Sequence, residues 1–196
     1  MLIPSSELST FAALPDYLTP QLEVVFVGIN PGLYSVKKGH YFARGTSRFW
    51  RALSASRLSE PIRLALRVET LRPEHDAELP RFGIGFTDII KRPTANVRDL
   101  SPGEFSDCAP SLAEKLRTYA PRVACFHGLM GFRPFARCVF KTAVSPIHGS
   151  QPETIGATRL FVVPNPSGAN AHFTIADQVM WYDRLAEYLA ALRKNN

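Results

Sequence analysis

Four short apolar runs mark out the chain: Leu22–Ile29 (LEVVFVGI), Arg81–Ile90 (RFGIGFTDII), Arg122–Leu129 (RVACFHGL) and Arg159–Val163 (RLFVV). The first is continuously apolar and rich in β-branched residues, the pattern of a central parallel strand covered on both faces. The intervals change to a helical period. Phe49, Trp50 and Leu53 predict an inward-facing helix within Thr46–Leu58, with Thr46 or Ser47 as its cap. Further helices are predicted over Pro61–Leu71, over Ser111–Tyr119 before Pro121, and in the GFRPFARCVF stretch after the third strand. From Thr174 on, Ile175, Val179, Tyr182, Leu185, Leu189 and Leu192 recur at three and four, which predicts a closing amphipathic helix. Strands alternating with helices predict an α/β fold: a single-domain, three-layer sandwich with a mainly parallel sheet of four to five strands flanked by helices. One domain over residues 1–196 is expected, with residues 1–20 as an N-terminal extension.

Composition changes this picture little. The chain has 196 residues, with 45% hydrophobic and 20% charged residues, as in an ordinary globular protein. A net charge of +6 favours an anionic partner such as nucleic acid, but says nothing about fold. Cys108, Cys125 and Cys138 are too few and too scattered for a disulfide framework or a four-cysteine cluster. No histidine pair has metal-ligand spacing. The N-terminus lacks a basic start with a long apolar run, and no window reaches the roughly 18 apolar residues of a membrane span. A cytoplasmic monomer is expected.

The strand exits are chemically unusual. In a parallel sheet, ligands bind beyond the carboxyl ends of the strands. That edge would carry Asn30-Pro31-Gly32, Thr87-Asp88 and Asn165-Pro166-Ser167-Gly168. Asn30 offers one acceptor and two donors for a water or a substrate amide, although Asn-Pro-Gly is also the composition of a tight turn. Asp88 follows Phe86-Thr87, where apolar surroundings would raise its pKa and suit it to general-base work. The plainer alternative is a helix cap or a partner for Lys91 or Arg92. Tyr41 and Phe42, in what reads as a long Gly-flanked loop after Asn30, offer a face on which a nucleobase can stack. Lys37, Lys38, Arg44, Arg48, Lys91, Arg92 and Arg98 would neutralise phosphates or form a solvated face. Gly168 permits close backbone approach to a ligand.

Taken together, GINPG, GHYFARGTSRFW, GFTDIIKRPT and VVPNPSGAN resemble the mismatch-specific uracil-DNA glycosylase / thymine-DNA glycosylase family. The resemblance runs from about Val24 to the C-terminal helix, with four motifs in the right order. It implies the uracil-DNA glycosylase fold and excision of uracil, or other damaged pyrimidines, from mispaired double-stranded DNA, without metal or organic cofactor; single-stranded DNA is a further partner to be tested. It places the water-positioning Asn at Asn30 and the base-stacking aromatic at Phe42. It places backbone readers of the pyrimidine edge around Ile29 and Phe42, and the pocket lining near the base's C5 at Ser35. The loop that fills the gap left by the flipped nucleotide falls on Asn165–Ala171, which includes Ser167, Gly168, Ala169 and Asn170. Lys38 and Arg48 are the expected backbone contacts.

Three positions depart from the family pattern. Ala169 stands where members often carry a bulky wedge. Ala171 stands where some read the widowed guanine with Arg. Asp88 stands where relatives carry Lys or Asn. The first two put strict preference for a mispaired guanine in doubt; the third adds a second candidate catalytic group.

Overall fold

A computed structural model describes residues 13–141 and 145–194. One five-stranded sheet organises it, in the order β2-β1-β3-β5-β4. The strands are β1 (Val24–Gly28), β2 (Ile84–Asp88), β3 (Val123–His127), β4 (Gly149–Ile155) and β5 (Thr158–Val163). All neighbours pair in parallel except β4, which runs antiparallel to β5 at the edge. The mainly parallel sheet predicted from the alternating pattern is therefore present, with β4 as its fifth strand. The polar GSQPETI run hid that strand. It is an edge strand with a register irregularity and an internal Pro152, which only an edge tolerates.

Two apolar layers cover the sheet. On one face, Phe26, Phe86 and Cys125 meet α2 (Phe49–Ala55) and α6 (Ile175–Lys194) through Phe49, Leu53, Tyr182 and Leu185. On the other, Val25, Val27 and Phe126 meet α4 (Pro102–Tyr119) and α5 (Leu129–Phe140) through Leu112, Leu116, Phe132 and Phe135. Period-two alternation along each strand sorts side chains between these layers. Phe49 and Trp50 lie in the core, as their helical spacing requires.

Several boundaries differ from expectation. The stretch after Asn30 is not one long loop: Leu33–Lys38 forms a short helix, α1, that ends on left-handed Gly39. The helix predicted from Thr46 begins at Phe49, and the one predicted to Leu71 is α3 (Glu60–Leu66). The helix predicted from Ser111 begins at Pro102. A capping box explains this: the Glu104 backbone N–H donates to Ser101 Oγ and the Ser101 N–H donates to Glu104. Of the supposed N-terminal extension, residues 1–12 lie outside the described residues. From residue 13 on, the segment belongs to the body: Leu14 is buried, and Tyr17 bridges Phe86 antiparallel. Among the described residues, no helix is long and apolar enough to cross a membrane.

Asp16 fixes that N-terminal segment. It accepts hydrogen bonds from Thr87 Oγ1 (2.6 Å), Lys91 Nζ (2.8 Å) and Lys115 Nζ (2.7 Å), so it ties β2 to α4. Burial pushes its pKa up, but Lys115, Lys91 and Thr87 together hold it below the ordinary value. A lowered folded-state pKa contributes stability above the unfolded value, near pH 4, that is lost as pH falls through the folded value. Asp16→Ala should cost about 1–3 kcal/mol in urea unfolding at pH 7, with the difference from wild type shrinking below about pH 4. A pH-independent difference would show that the ion pairs are not its source.

Candidate active site

Chain order places the site. The connection after β1 leads to β2 on one side, whereas that after β3 leads towards β5 on the other. The two neighbouring strands therefore part company at their carboxyl ends, and a crevice opens there. A cleft of about 240 Å³ occupies this point, lined among others by Asn30, Phe42, Asp88, His127 and Asn165. All three strand exits singled out from the sequence reach it: Asn30-Pro31-Gly32, Asp88 and Asn165 with Ser167 and Gly168.

Asn30 is held by its amide nitrogen. Nδ2 donates to Thr94 Oγ1 (2.8 Å) and to the Arg92 carbonyl (3.0 Å). Thr94 Oγ1 in turn donates to the Asn96 carbonyl (2.8 Å), which leaves its lone pairs for Asn30. The amide orientation follows, because the Arg92 carbonyl can only accept. Oδ1 has no protein hydrogen bond among the described residues and is left as an open acceptor. Thr94 was not anticipated, since nothing in KRPT distinguishes a hydroxyl that reaches back across the strand exit.

Asp88 ends β2 opposite Gly28 and is 4% exposed. A Cβ at Gly28 would overlap Asp88 Oδ1, so the carboxyl leans over β1 into space that only glycine leaves free. Neither Lys91 nor Arg92 pairs with it: Lys91 binds Asp16, and Arg92 binds Glu104 at 2.7 Å. Oδ2 is buried without a hydrogen-bond partner. Burial therefore raises its pKa to about 7, against a smaller opposing pull from Lys91.

The aromatic pair divides. Phe42, at a left-handed φ of 52°, stacks on Phe49 with ring centroids 4.2 Å apart and turns its other side to the cleft. Tyr41 also lines the cleft but offers no free stacking face. Its ring is 2% exposed, stacks on Phe86 at 5.2 Å, and its hydroxyl donates to the Pro15 carbonyl. Three contacts brace this turn. The Tyr41 N–H donates to fully buried Asp76 (2.8 Å), Trp50 Nε1 donates to the Tyr41 carbonyl (2.9 Å), and the Ala43 N–H donates to Ser35 Oγ (3.3 Å). Ser35 thus lines the cleft and supports the turn. The Ile29 side chain packs against Gly131, while its carbonyl accepts from the Ile90 N–H.

The Asn165–Ala171 loop is latched rather than loose. Arg48 Nη1 donates to the carbonyls of Ser167 and Asn170, both at 3.0 Å, and the Arg48 N–H donates to the Pro166 carbonyl (2.8 Å). Arg48 is thereby a loop clamp through Nη1. Asn165 Oδ1 accepts from the Ser167 N–H, and Asn170 Nδ2 donates to the Asn165 carbonyl. Gly168 does allow close approach, but to the protein itself: a Cβ there would lie 2.7 Å from the Thr46 carbonyl oxygen. Ala169 is exposed, and neither it nor Asn170 lines the cleft. Lys38 lies outside as well, with its ammonium over the Tyr34 ring at 5.9 Å. Of the basic cluster, Lys91 and Arg92 form ion pairs, while Lys37, Lys38 and Arg44 remain exposed.

Of the lining residues not foreseen as site residues, Tyr34 and His127 stand out. Tyr34 stands 41% exposed at the cleft. His127 ends β3 beside Gly28, where burial lowers its pKa to about 3. The apolar RVACFHGL run reads as strand alone, and only the sheet order brings its last residue to the cleft.

The comparisons agree with this architecture. A solution NMR structure from Methanosarcina acetivorans, provisionally described as a uracil DNA glycosylase, matches with a TM-score of 0.51 at 20% identity, over 89% of this chain and 98% of that one. At that identity the likeness bears on the fold alone. The family model described as "Uracil DNA glycosylase superfamily" matches residues 15–192, so the chain belongs to the uracil DNA glycosylase superfamily.

Proposed function

We propose that this protein is a monofunctional DNA glycosylase that flips uracil, or a related damaged pyrimidine, out of mispaired DNA and hydrolyses its N-glycosidic bond. The observation that carries this reading is one cleft holding three groups: an amide fixed with its oxygen free, a buried carboxyl without a partner, and a ring with one open side. Extrusion costs a few kcal/mol, and less for a mispaired base. Stacking on Phe42 offsets roughly 1–3 kcal/mol of that. As the C1′–N1 bond breaks, its electron pair leaves with the pyrimidine and C1′ becomes cationic. Asn30 Oδ1 orients a water towards C1′ but is too weak a base to deprotonate it. Asp88, as carboxylate, takes that proton and opposes the positive charge of the sugar. The cleft lining holds no lysine among the described residues, so no Schiff-base nucleophile is at hand and strand cleavage is not expected.

Single-turnover release of uracil from U:G, U:A, T:G and single-stranded substrates tests this reading. Asn30→Ala and Asp88→Ala should each slow release by about 10²–10⁴-fold, the range of a positioned proton-transfer group. Full activity in Asp88→Ala would remove its catalytic role; full activity in both would sink the assignment. Tight binding of uracil-containing DNA by the wild type with no abasic product would point instead to a catalytically silent binding module.

The raised pKa of Asp88 sets a pH window. Its carboxylate is the active form, so the rate should climb as pH rises through about 7 and level off above. Stability should run the other way. A folded-state pKa above the unfolded value contributes stability that is present at low pH and lost as pH rises through about 7. Asp88→Asn should therefore melt higher than wild type at pH 8, with a smaller gain at pH 5. A rate that is flat from pH 5 to 9 would show that no group titrating near neutrality controls the step.

Mismatch preference rests on the loop. Ala169 is exposed at its tip, and a methyl group fills little of the gap left by a flipped nucleotide. Ala169→Leu should raise the ratio of duplex-mismatch to single-strand activity several-fold. An unchanged ratio would mean that side-chain size at this tip does not govern discrimination.

A further inference from the structure

The register at the cleft floor is informative. Gly28 pairs with Asp88 on one side, and the β1–β3 ladder carries it beside His127 on the other. By strand alternation, all three face the same layer as Phe26, Phe86 and Cys125. The carboxyl of Asp88 leans over Gly28 from one flank, and His127, on the strand at the other flank, lines the cleft. Each brings one buried polar atom with no hydrogen-bond partner, Asp88 Oδ2 and His127 Nδ1, and these are the two such atoms on cleft-lining residues. A buried polar group left unpaired is costly, so one on a residue at the floor of a cleft points to a partner that arrives with a ligand.

The proton on His127 can be placed. Its Nε2 lies 3.0 Å from Tyr182 Oη on α6. Tyr182 is wholly buried, and burial keeps its phenol protonated. Its O–H needs an acceptor, and Nε2 is within hydrogen-bond distance; the wholly buried Gln178, one turn earlier on α6, also reaches the phenol. With the phenol donating to Nε2, the ring proton sits on Nδ1. Burial also keeps this imidazole neutral near pH 7. The ring is held by Phe26, Phe42, Phe49 and Tyr182, with centroids 5.1–6.1 Å away, and its contact with Phe42 is edge-on. A base stacked on the open side of Phe42 would bring its own edge towards this floor.

We infer that His127 is a specificity-determining residue of the base pocket: its Nδ1–H donates to a carbonyl oxygen of the extruded pyrimidine, and Tyr182 fixes the tautomer that makes this possible. This rests on the glycosylase reading above. The ligand class follows from the donor: a ring oxygen is accepted, whereas an exocyclic amino group there would meet N–H with N–H. The bond strengthens as that oxygen gains charge when C1′–N1 breaks, because a fixed donor in a dry site is worth most against developing charge.

The substitutions separate position from packing. His127→Asn keeps an N–H near the place of Nδ1, His127→Gln moves it towards the place of Nε2, and His127→Leu removes it at similar volume. In single-turnover assays on U:G DNA, His127→Leu and His127→Gln should each lose about 100-fold, His127→Asn should recover to within about tenfold of wild type, and Tyr182→Phe should fall between them. Binding of abasic-site DNA should stay within about twofold throughout. Histidine ¹⁵N spectra of the wild type should show His127 protonated at Nδ1, with that signal shifting when free uracil is added. Wild-type rates in His127→Leu, equal rates in the Asn and Gln variants, or a proton on Nε2 would overturn the proposal while leaving the glycosylase reading intact. If the wild type releases no base from any substrate, the glycosylase reading fails. The uracil titration then decides alone: a shifted Nδ1 signal supports base recognition, and an unmoved one refutes it.

Discussion

The site depends on an absent side chain. Gly28 lies where β1 runs between β2 and β3, at the point where the two crossovers separate. Any Cβ there would strike the Asp88 carboxyl. With the space open, Asp88 and His127 reach the floor of the cleft from opposite flanks. Both are nearly inaccessible, and both leave a polar atom unpaired. A core built for stability alone would place apolar residues at these ends, as β1 and β3 do along the rest of their length. The cost of burying a carboxyl without a partner is also what moves its pKa into the neutral range. The destabilisation and the chemistry have one physical cause.

Around that floor the chain uses polar contacts to hold loops at fixed height. Asp76, from the segment between α3 and β2, anchors the Tyr41 amide, and Trp50 anchors its carbonyl. Phe42 can then hold a left-handed backbone conformation that costs a non-glycine residue of order 1 kcal/mol. Arg48 ties the Asn165–Ala171 loop to the start of α2, and Gly168 lets that loop lie against Thr46. A latched loop holds its tip at a set distance from the cleft, so whatever it does to a duplex depends on the size of the tip residues rather than on loop motion.

How much of this was legible in the sequence varied with the kind of signal. The strands β1, β2, β3 and β5 were plain because apolar runs at a sheet's centre have no competing reading. Strand β4 was not, because an edge strand needs few apolar residues and tolerates Pro152. The start of α4 was legible in principle, since Ser101 and Glu104 form a capping box that an apolar-period search passes over. In the site, Asn30, Asp88 and Phe42 stood out because each breaks the local pattern. Roles that depend on partners far along the chain did not. Arg48 reads as a free cation, yet its Nη1 is taken by carbonyls 119 and 122 residues away. Tyr41 reads as the twin of Phe42, yet Pro15 and Phe86 claim it. His127 could not be told from a core histidine until the strand order set it beside Gly28.

The division of labour proposed for Asn30 and Asp88 follows from how each is held. Asn30 is over-determined: Thr94 and the Arg92 carbonyl fix its nitrogen, and Asn96 fixes Thr94. Such a group directs a water well, because its own reorganisation on reaction is small. It cannot change charge. Asp88 is the opposite case, with a state of protonation free to change and no hydrogen bond holding its second oxygen. A proton must leave the attacking water, and within the cleft only a group of the second kind can take it near neutral pH. Replacing the acid with an amide would give two direction-setting groups and no acceptor for that proton. In the proposed reaction the pair is therefore not redundant: the scaffold rigidifies the group proposed to aim the water and leaves unpaired the group proposed to take its proton.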